Sequence, residues 1–153
     1  QGVQRALEKC LSGAQEREGI RGALLTAGLF EKGEGQARWD SDVTSELLFD
    51  LPLDQAERVL SPFAAKERLA ILRTLFWHTK SVAELAESTG LSQGQVYHHL
   101  KELWHARCVS SPSRGRYTLE PKGMIALMTL LAVARQMGAV EPPAELAEGP
   151  QQP

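Results

Sequence analysis

The sequence predicts a mostly α chain with a small β component (α+β). The expected layout is a winged helix-turn-helix, with an amino-terminal helix and β-hairpin before it and an apolar carboxy-terminal helix after it. Three observations predict this. Two short amphipathic runs flank Gly90-Leu91-Ser92, a combination that ends one helix and starts another. Two strand-like runs follow at once, joined by a turn that contains proline and glycine. Finally, Met124 to Ala134 carries only one polar side chain, Thr129.

Taken in order, residues 3–10 read as a helix with Val3, Leu7 and Cys10 on one side. Gly22 to Phe30 and Gln36 to Asp40 read as a β-hairpin turning at Lys32-Gly-Glu-Gly35, with Ala37 and Trp39 facing the core. A helix over Ala23 to Phe30 competes, because alanine and leucine favour helix and the run does not alternate cleanly. Asp54-Gln-Ala-Glu57 suggests a capping arrangement opening a helix that ends near Leu60, before Ser61-Pro62. The next helix is expected to bury Leu69, Leu72, Leu75 and Phe76. Domain limits follow: 1–53 as the extension, 54–138 as the winged helix-turn-helix with its terminal helix, and 139–153 as a disordered tail. Four of the eight prolines fall in the last twelve residues, which favours a solvated tail.

In the central stretch, Val82, Leu85 and Ala86 give the first helix one apolar stripe. In the second, at about 92–106, Val96, Leu100 and Leu103 point inward and Ser92 caps the start. Gln93, Gln95, Tyr97, His98 and Lys101 remain on the outside. Amides, a phenol, an imidazole and an ammonium can bond base edges and phosphates. The strand-like runs Arg107 to Ser110 and Tyr117 to Leu119 are joined by Ser111 to Arg116, giving a wing at about 110–117. Arg114 and Arg116 flank Gly115 there, and arginines on a protruding hairpin suit a minor groove or its phosphates.

The run Leu91-Ser-Gln-Gly-Gln-Val-Tyr-His-His-Leu-Lys-Glu-Leu103 resembles the recognition helix of the arsenic-repressor-like (ArsR-like) winged-helix regulators. Ser61 to Leu75 resembles the helix that opens their DNA-binding domain. The resemblance covers roughly residues 60 to 138. It implies a prokaryotic homodimeric repressor or activator whose two recognition helices enter successive major grooves. Some members also carry a hairpin ahead of the winged helix. Where the family has a glycine after the recognition helix, this chain has Arg107. The paired cysteines of the metal-sensing members are missing from the first helix of the motif.

Composition narrows the setting. A chain of 153 residues with 42% hydrophobic and 24% charged residues suits a soluble globular protein with a proper core. No apolar run nears the ~20 residues of a membrane helix, and no signal-peptide pattern is visible. The chain opens on Gln1 rather than methionine, as a trimmed chain or a piece of a longer one would. Cys10 and Cys108 make no disulfide framework, so a cytoplasmic protein is expected. The net charge of −2 is unusual for a nucleic-acid binder. From Ser92 to Gly123, however, five cations face two anions. Weak non-specific affinity with strong salt dependence is expected.

A surface helix should show a polar face, and Met124 to Ala134 nearly lacks one. Either the amino-terminal segment covers it, or it pairs with a second copy through Ile125, Leu127, Met128 and Leu131. The family uses its terminal helices in the second way. His98, His99 and His105 lie close in sequence but lack the spacing and acidic partners of a metal set. His98 is read as DNA-facing and His99 as a partly buried packing or hydrogen-bonding residue. Cys108 reads as a buried thiol, or as a redox switch if exposed. Trp77 and Trp104 read as core. No catalytic set, metal or cofactor is expected. The DNA-binding residues are expected to be Ser92, Gln93, Gln95, Tyr97, His98, Lys101, Arg114 and Arg116. The expected partners are a double-stranded operator, a second copy and an unidentified small-molecule or protein effector, with no membrane. A winged-helix module that binds another protein instead of DNA is the alternative.

Overall fold

The computed structural model describes residues 1–138; the expected tail at 139–153 lies outside them. The amino-terminal part is a helix on a hairpin. α1 (Gly2–Ser12) packs on β1 (Ala23–Lys32) and β2 (Gly35–Thr44). Cys10 is buried while Val3 stays exposed. The strands pair antiparallel from Ala23↔Thr44 to Lys32↔Gly35, around a two-residue turn in which Gly33 takes a φ of 57°. The hairpin is therefore the correct reading of residues 23–40, and it runs longer than the sequence pattern suggested. Gly28 explains the broken alternation. The Trp39 indole lies across it, 2.2 Å from where a Cβ would stand. Trp39 also stacks on Phe30 with ring centroids 5.5 Å apart, and Phe30 meets Phe76 edge-on at 5.3 Å. This aromatic chain ties the hairpin to the following domain.

After α2 (Ser45–Phe49) comes α3 (Leu53–Leu60), with Pro52 at its N-cap and no side-chain cap. The expected Asp54 cap is thus corrected. The helix starts at Leu53, so Asp54 lies inside its first turn rather than at the cap, and it pairs with Arg58 one turn on, at 3.5 Å. A 3₁₀ turn, Ser61–Phe63, leads into α4 (Lys66–Trp77). α4 buries Ile71, Leu72 and Leu75, leaving Leu69 packed at the margin and Phe76 half-buried.

β3 (Lys80–Ser81), α5 (Val82–Thr89), α6 (Gln93–His105), β4 (Val109–Ser113), β5 (Arg116–Leu119) and α7 (Pro121–Gln136) complete the domain. The sheet runs β3-β5-β4, all antiparallel. β3 is a strand the sequence did not announce. The wing turn is tighter than expected, since only Arg114 and Gly115 separate the strands. One core joins Ile71, Leu72 and Leu75 to Leu85, Val96, Leu100, Leu103, Cys108, Val109 and Leu127. Leu127 is 0% exposed within one chain. It is a core residue and cannot contact a second copy, which corrects its expected role. α7 must bury one row inward, and its spacing from Gly123 makes Leu127 that row.

Arg107 is not in a strand. It has a φ of 60°, the left-handed conformation that glycine adopts without strain. Its N–H donates to the Trp104 carbonyl, and the Cys108 N–H donates to the Leu103 carbonyl, each at 2.9 Å. This is the paired C-terminal helix stop usually built on glycine. Left-handed backbone costs a non-glycine residue about 1–2 kcal/mol. Arg107→Gly should therefore stabilise the chain by about 1 kcal/mol net, raising the melting temperature by about 2–4 °C. Differential scanning calorimetry of the two proteins checks this, and an unchanged or lower midpoint would refute it.

Candidate nucleic-acid interface

The site is built on two capping boxes. At the start of α5, Ser81 Oγ accepts from the Glu84 N–H, and the Glu84 carboxylate accepts from the Ser81 N–H. Gly90, at a φ of 74°, ends that helix. At the start of α6, Ser92 Oγ accepts from the Gln95 N–H at 3.2 Å, and Gln95 Oε1 accepts from the Ser92 N–H at 2.9 Å. Two orphan donors are satisfied at each start, so both helices begin at fixed residues.

This assigns Ser92 and Gln95 a structural duty before any other. Their side chains are exposed, and the Gln95 amide NH₂ takes no part in the box. Gln93, Tyr97 and Lys101 follow each other at one-turn intervals on the exposed face of α6, with His98 beside them. Tyr97 is 62% exposed. That stripe continues to Trp104, which is 48% exposed rather than core. Trp77, at the end of α4, is likewise 44% exposed and rests edge-on against Phe76 at 4.6 Å. The spacing of Trp104 alone did not settle its side, since it is i+4 from the buried Leu100 and i+3 from the exposed Lys101. It lies one turn beyond both, at the edge between the inward row and the exposed stripe. A groove of about 280 Å³ runs between α6 and the wing, lined by Tyr97, Lys101, Trp104, Ser111 and Tyr117 above Leu100. Tyr117 and Ser111 are wing residues that sequence reasoning left out.

The two wing arginines differ. Arg114 is exposed beside Gly115, whose φ is 73°. Arg116 is half-buried and turned inward. Its guanidinium meets the Glu84 carboxylate at 3.0 Å and donates to the Thr79 carbonyl at 2.8 Å. The expectation of two exposed tip arginines thus holds for Arg114 alone. Pairing in a two-residue turn puts Arg116 in β5, opposite Ser81 of β3, which points it at the start of α5. Hydrogen bonds from the Ser81 backbone, followed by the nearby Arg116 charge, hold the Glu84 carboxyl below its usual range.

Among the histidines, His98 is exposed and His99 half-buried, their rings 5.5 Å apart. His99 Nδ1 is buried without a partner. Burial, and then the Arg68 charge, push the His99 pKa down, so its ring is neutral at pH 7. Cys108 is buried and its thiol is pushed up by desolvation. That environment disfavours the thiolate a redox switch needs. Among the described residues, no helix is long and apolar enough to cross a membrane.

Arg116→Ala should lower the melting temperature by about 2–4 °C, the effect of a modest loss in a chain of this size. Arg114→Ala should leave it unchanged. Thermal melts that rank them otherwise would undo this reading of the wing. Histidine 99 gives a pH test. Its folded pKa is depressed, so the unfolded chain takes the proton first. Stability should be full above the ordinary histidine pKa of ~6.5 and fall as pH drops through it. Chemical denaturation of wild type and His99→Gln between pH 5 and 8, the range of histidine titration, should show a flatter profile for the variant.

Residues 65–111, from α4 into β4, match a family model described as bacterial regulatory protein, arsR family. The fold resembles NolR from Sinorhizobium fredii, at 24% identity and a TM-score of 0.50, over 65% of this chain and 97% of NolR. It also resembles the transcriptional repressor BigR from Xylella fastidiosa, at 20% identity and a TM-score of 0.50, over 58% and 95% of the two chains. A further likeness is to the homodimeric winged helix-turn-helix DNA-binding domain Mb0332 from Mycobacterium bovis. There the identity is 26% and the TM-score 0.48, over 57% of this chain and 83% of that one. No curated protein matches the chain. A helix-turn-helix with fixed helix starts and a wing braced against it give this part of the chain the winged helix-turn-helix fold of these structures, and residues 65–111 within it are similar to the arsR family of bacterial regulatory proteins.

Proposed function

We propose that the protein is a sequence-specific, double-stranded DNA-binding transcriptional regulator that acts as a homodimer and catalyses nothing. One observation carries the reading. α6 presents Gln93, Tyr97, His98 and Lys101 along a single exposed face, beside a wing whose tip offers Arg114. α6 lies in the major groove and reads base edges through Gln93, His98 and the free amide NH₂ of Gln95. Tyr97, Lys101 and the Ser92 end of the helix meet the backbone. The wing reaches the minor groove or its phosphates through Arg114, while Arg116 holds the wing in place.

Self-association rests on α7. The hairpin approaches that helix near Met124, beside Phe30, Phe76 and Trp77. Further along, Ile125 is half-buried and Met128 and Leu131 pack at the core margin, while Val133 is exposed and Met137 is 84% exposed. Apolar side chains left half-buried or exposed around a buried row are what a two-fold pairing covers. The net charge of −2 favours the alternative of a protein-binding winged helix, and the first test separates the two.

In binding assays with selected and random duplexes, Gln93→Ala and His98→Ala should each relax base preference at particular positions, by about 1–3 kcal/mol per lost contact. Arg114→Ala should weaken binding to all sequences and flatten the log–log salt dependence by about 0.9. Binding that is indifferent to all three substitutions, or absent altogether, would favour a protein partner. For assembly, sedimentation at micromolar concentration should find a dimer. Val133→Glu should give folded monomers, since that side chain already lies outside the core. A wild-type monomer would end the dimer reading.

A further inference from the structure

We propose that the cavity between α3, the end of α6 and the start of α7 binds a small organic carboxylate with an apolar body. The cavity holds about 580 Å³, within the range of small-molecule sites. Arg58, His105, Arg107 and Lys122 line it, drawn from all three helix ends, against an apolar wall that includes Val59 and Phe63. No carboxylate lines it among the described residues. Cationic and donor groups collected without an acid raise the local potential and favour an anion. The apolar wall favours an organic body over a bare inorganic ion, which would leave that wall against water.

Three further features point to the same ligand. α7 begins at the cavity, and its N-cap residue Glu120 supplies no side-chain bond. The positive end of a 16-residue helix therefore faces the space uncapped by a side chain. The floor is rigid. At Gly123 a Cβ would come within 2.5 Å of the Cys108 carbonyl oxygen, so α7 and the chain after α6 are in direct contact there. Last, Arg107 keeps a long cation at a left-handed position where glycine would be unstrained, and backbone strain of this kind collects at ligand sites. Among the described residues, the competing partner of Arg58 is the exposed Asp54, 3.5 Å away, a weak and solvated pair that a ligand can displace.

The test titrates the full chain, without DNA, with sodium benzoate, its neutral isostere benzamide, and inorganic phosphate, following backbone amide NMR shifts. Benzoate should give saturable shifts centred on Ala106, Arg107, Cys108, Lys122 and Gly123. Benzamide should bind about tenfold more weakly, as should benzoate to the Arg58→Gln/Lys122→Gln double variant, each having lost charge-assisted bonding. Arg107→Gly should weaken benzoate binding about tenfold while raising the melting temperature, a pairing that a merely structural arginine would not produce. Benzamide binding equal to benzoate would overturn the proposal, leaving an unselective apolar cavity. Phosphate binding equal to benzoate would overturn it as well, leaving a plain inorganic-anion patch. Shifts that do not saturate, or that centre elsewhere, would mean there is no such site. Because DNA is absent from the readout, none of these outcomes depends on whether the chain binds DNA.

Discussion

The Arg107-Cys108 step is the constraint on which the rest of the domain depends. Arg107 turns the chain left-handed, and the two N–H groups of the step close the end of α6. The Cys108 carbonyl then accepts from the Glu120 N–H at 2.9 Å, just before α7. Gly123 lets α7 lie directly on that carbonyl. The side chain of Cys108 joins Leu103 and Val109 in the core. One dipeptide thus fixes the exposed helix, the wing and the terminal helix relative to each other. A register change there would move all three together, so a strained residue at this step has leverage far beyond its own cost of about 1–2 kcal/mol.

A second network fixes the wing from the other side. Glu84 closes the capping box of α5 and also receives Arg116 from β5. Arg116 in turn holds the carbonyl of Thr79, just before β3. The start of the first helix of the motif and the base of the wing are therefore one unit. Each partner is half-exposed, so the direct gain in stability is small. Its effect is on position: a hairpin whose base is braced presents Arg114 at a defined height beside α6. The Gln95 amide has the same double character. Its oxygen is held by the cap, which restrains the side chain while its NH₂ takes no part in the box.

Much of this was legible because it depends on near neighbours in sequence. The break at Gly90, the cap at Ser92, the inward row of α6 and the hairpin turns each follow from spacing or backbone chemistry over a few residues. What was missed depends on distant partners. Arg116 looked free because Glu84 and Thr79 lie 32 and 37 residues away. An almost uniformly apolar α7 cannot announce which row faces its own core, so Leu127 was placed on the wrong side. Trp104 sits at the edge between the buried and exposed rows of α6, one turn from both Leu100 and Lys101, so its spacing left its side open. At Asp54 a plausible capping pattern failed because the helix starts two residues earlier, with Pro52 at its N-cap. Arg107 marked the absence of the expected glycine, yet the backbone kept the glycine conformation, because the hydrogen bonds and core contacts of Leu103 and Cys108 outweigh the strain.

The charge of the chain acquires a different meaning once each cation is placed. Of the five between Ser92 and Gly123, Arg116 is neutralised by Glu84, and Arg107 and Lys122 border the cavity at the far end of α6. Lys101 and Arg114 remain beside the exposed face of α6. On the proposed reading a pair of copies brings four such cations to DNA, for a salt exponent of about 3.6. That is a small electrostatic contribution, and the acidic remainder of the chain reduces non-specific attraction further. Affinity must then come mainly from base contacts made by a pre-positioned helix. Both capping boxes, the braced wing and the strained turn serve that requirement, since a weakly charged reader depends on geometry where a basic one can rely on charge.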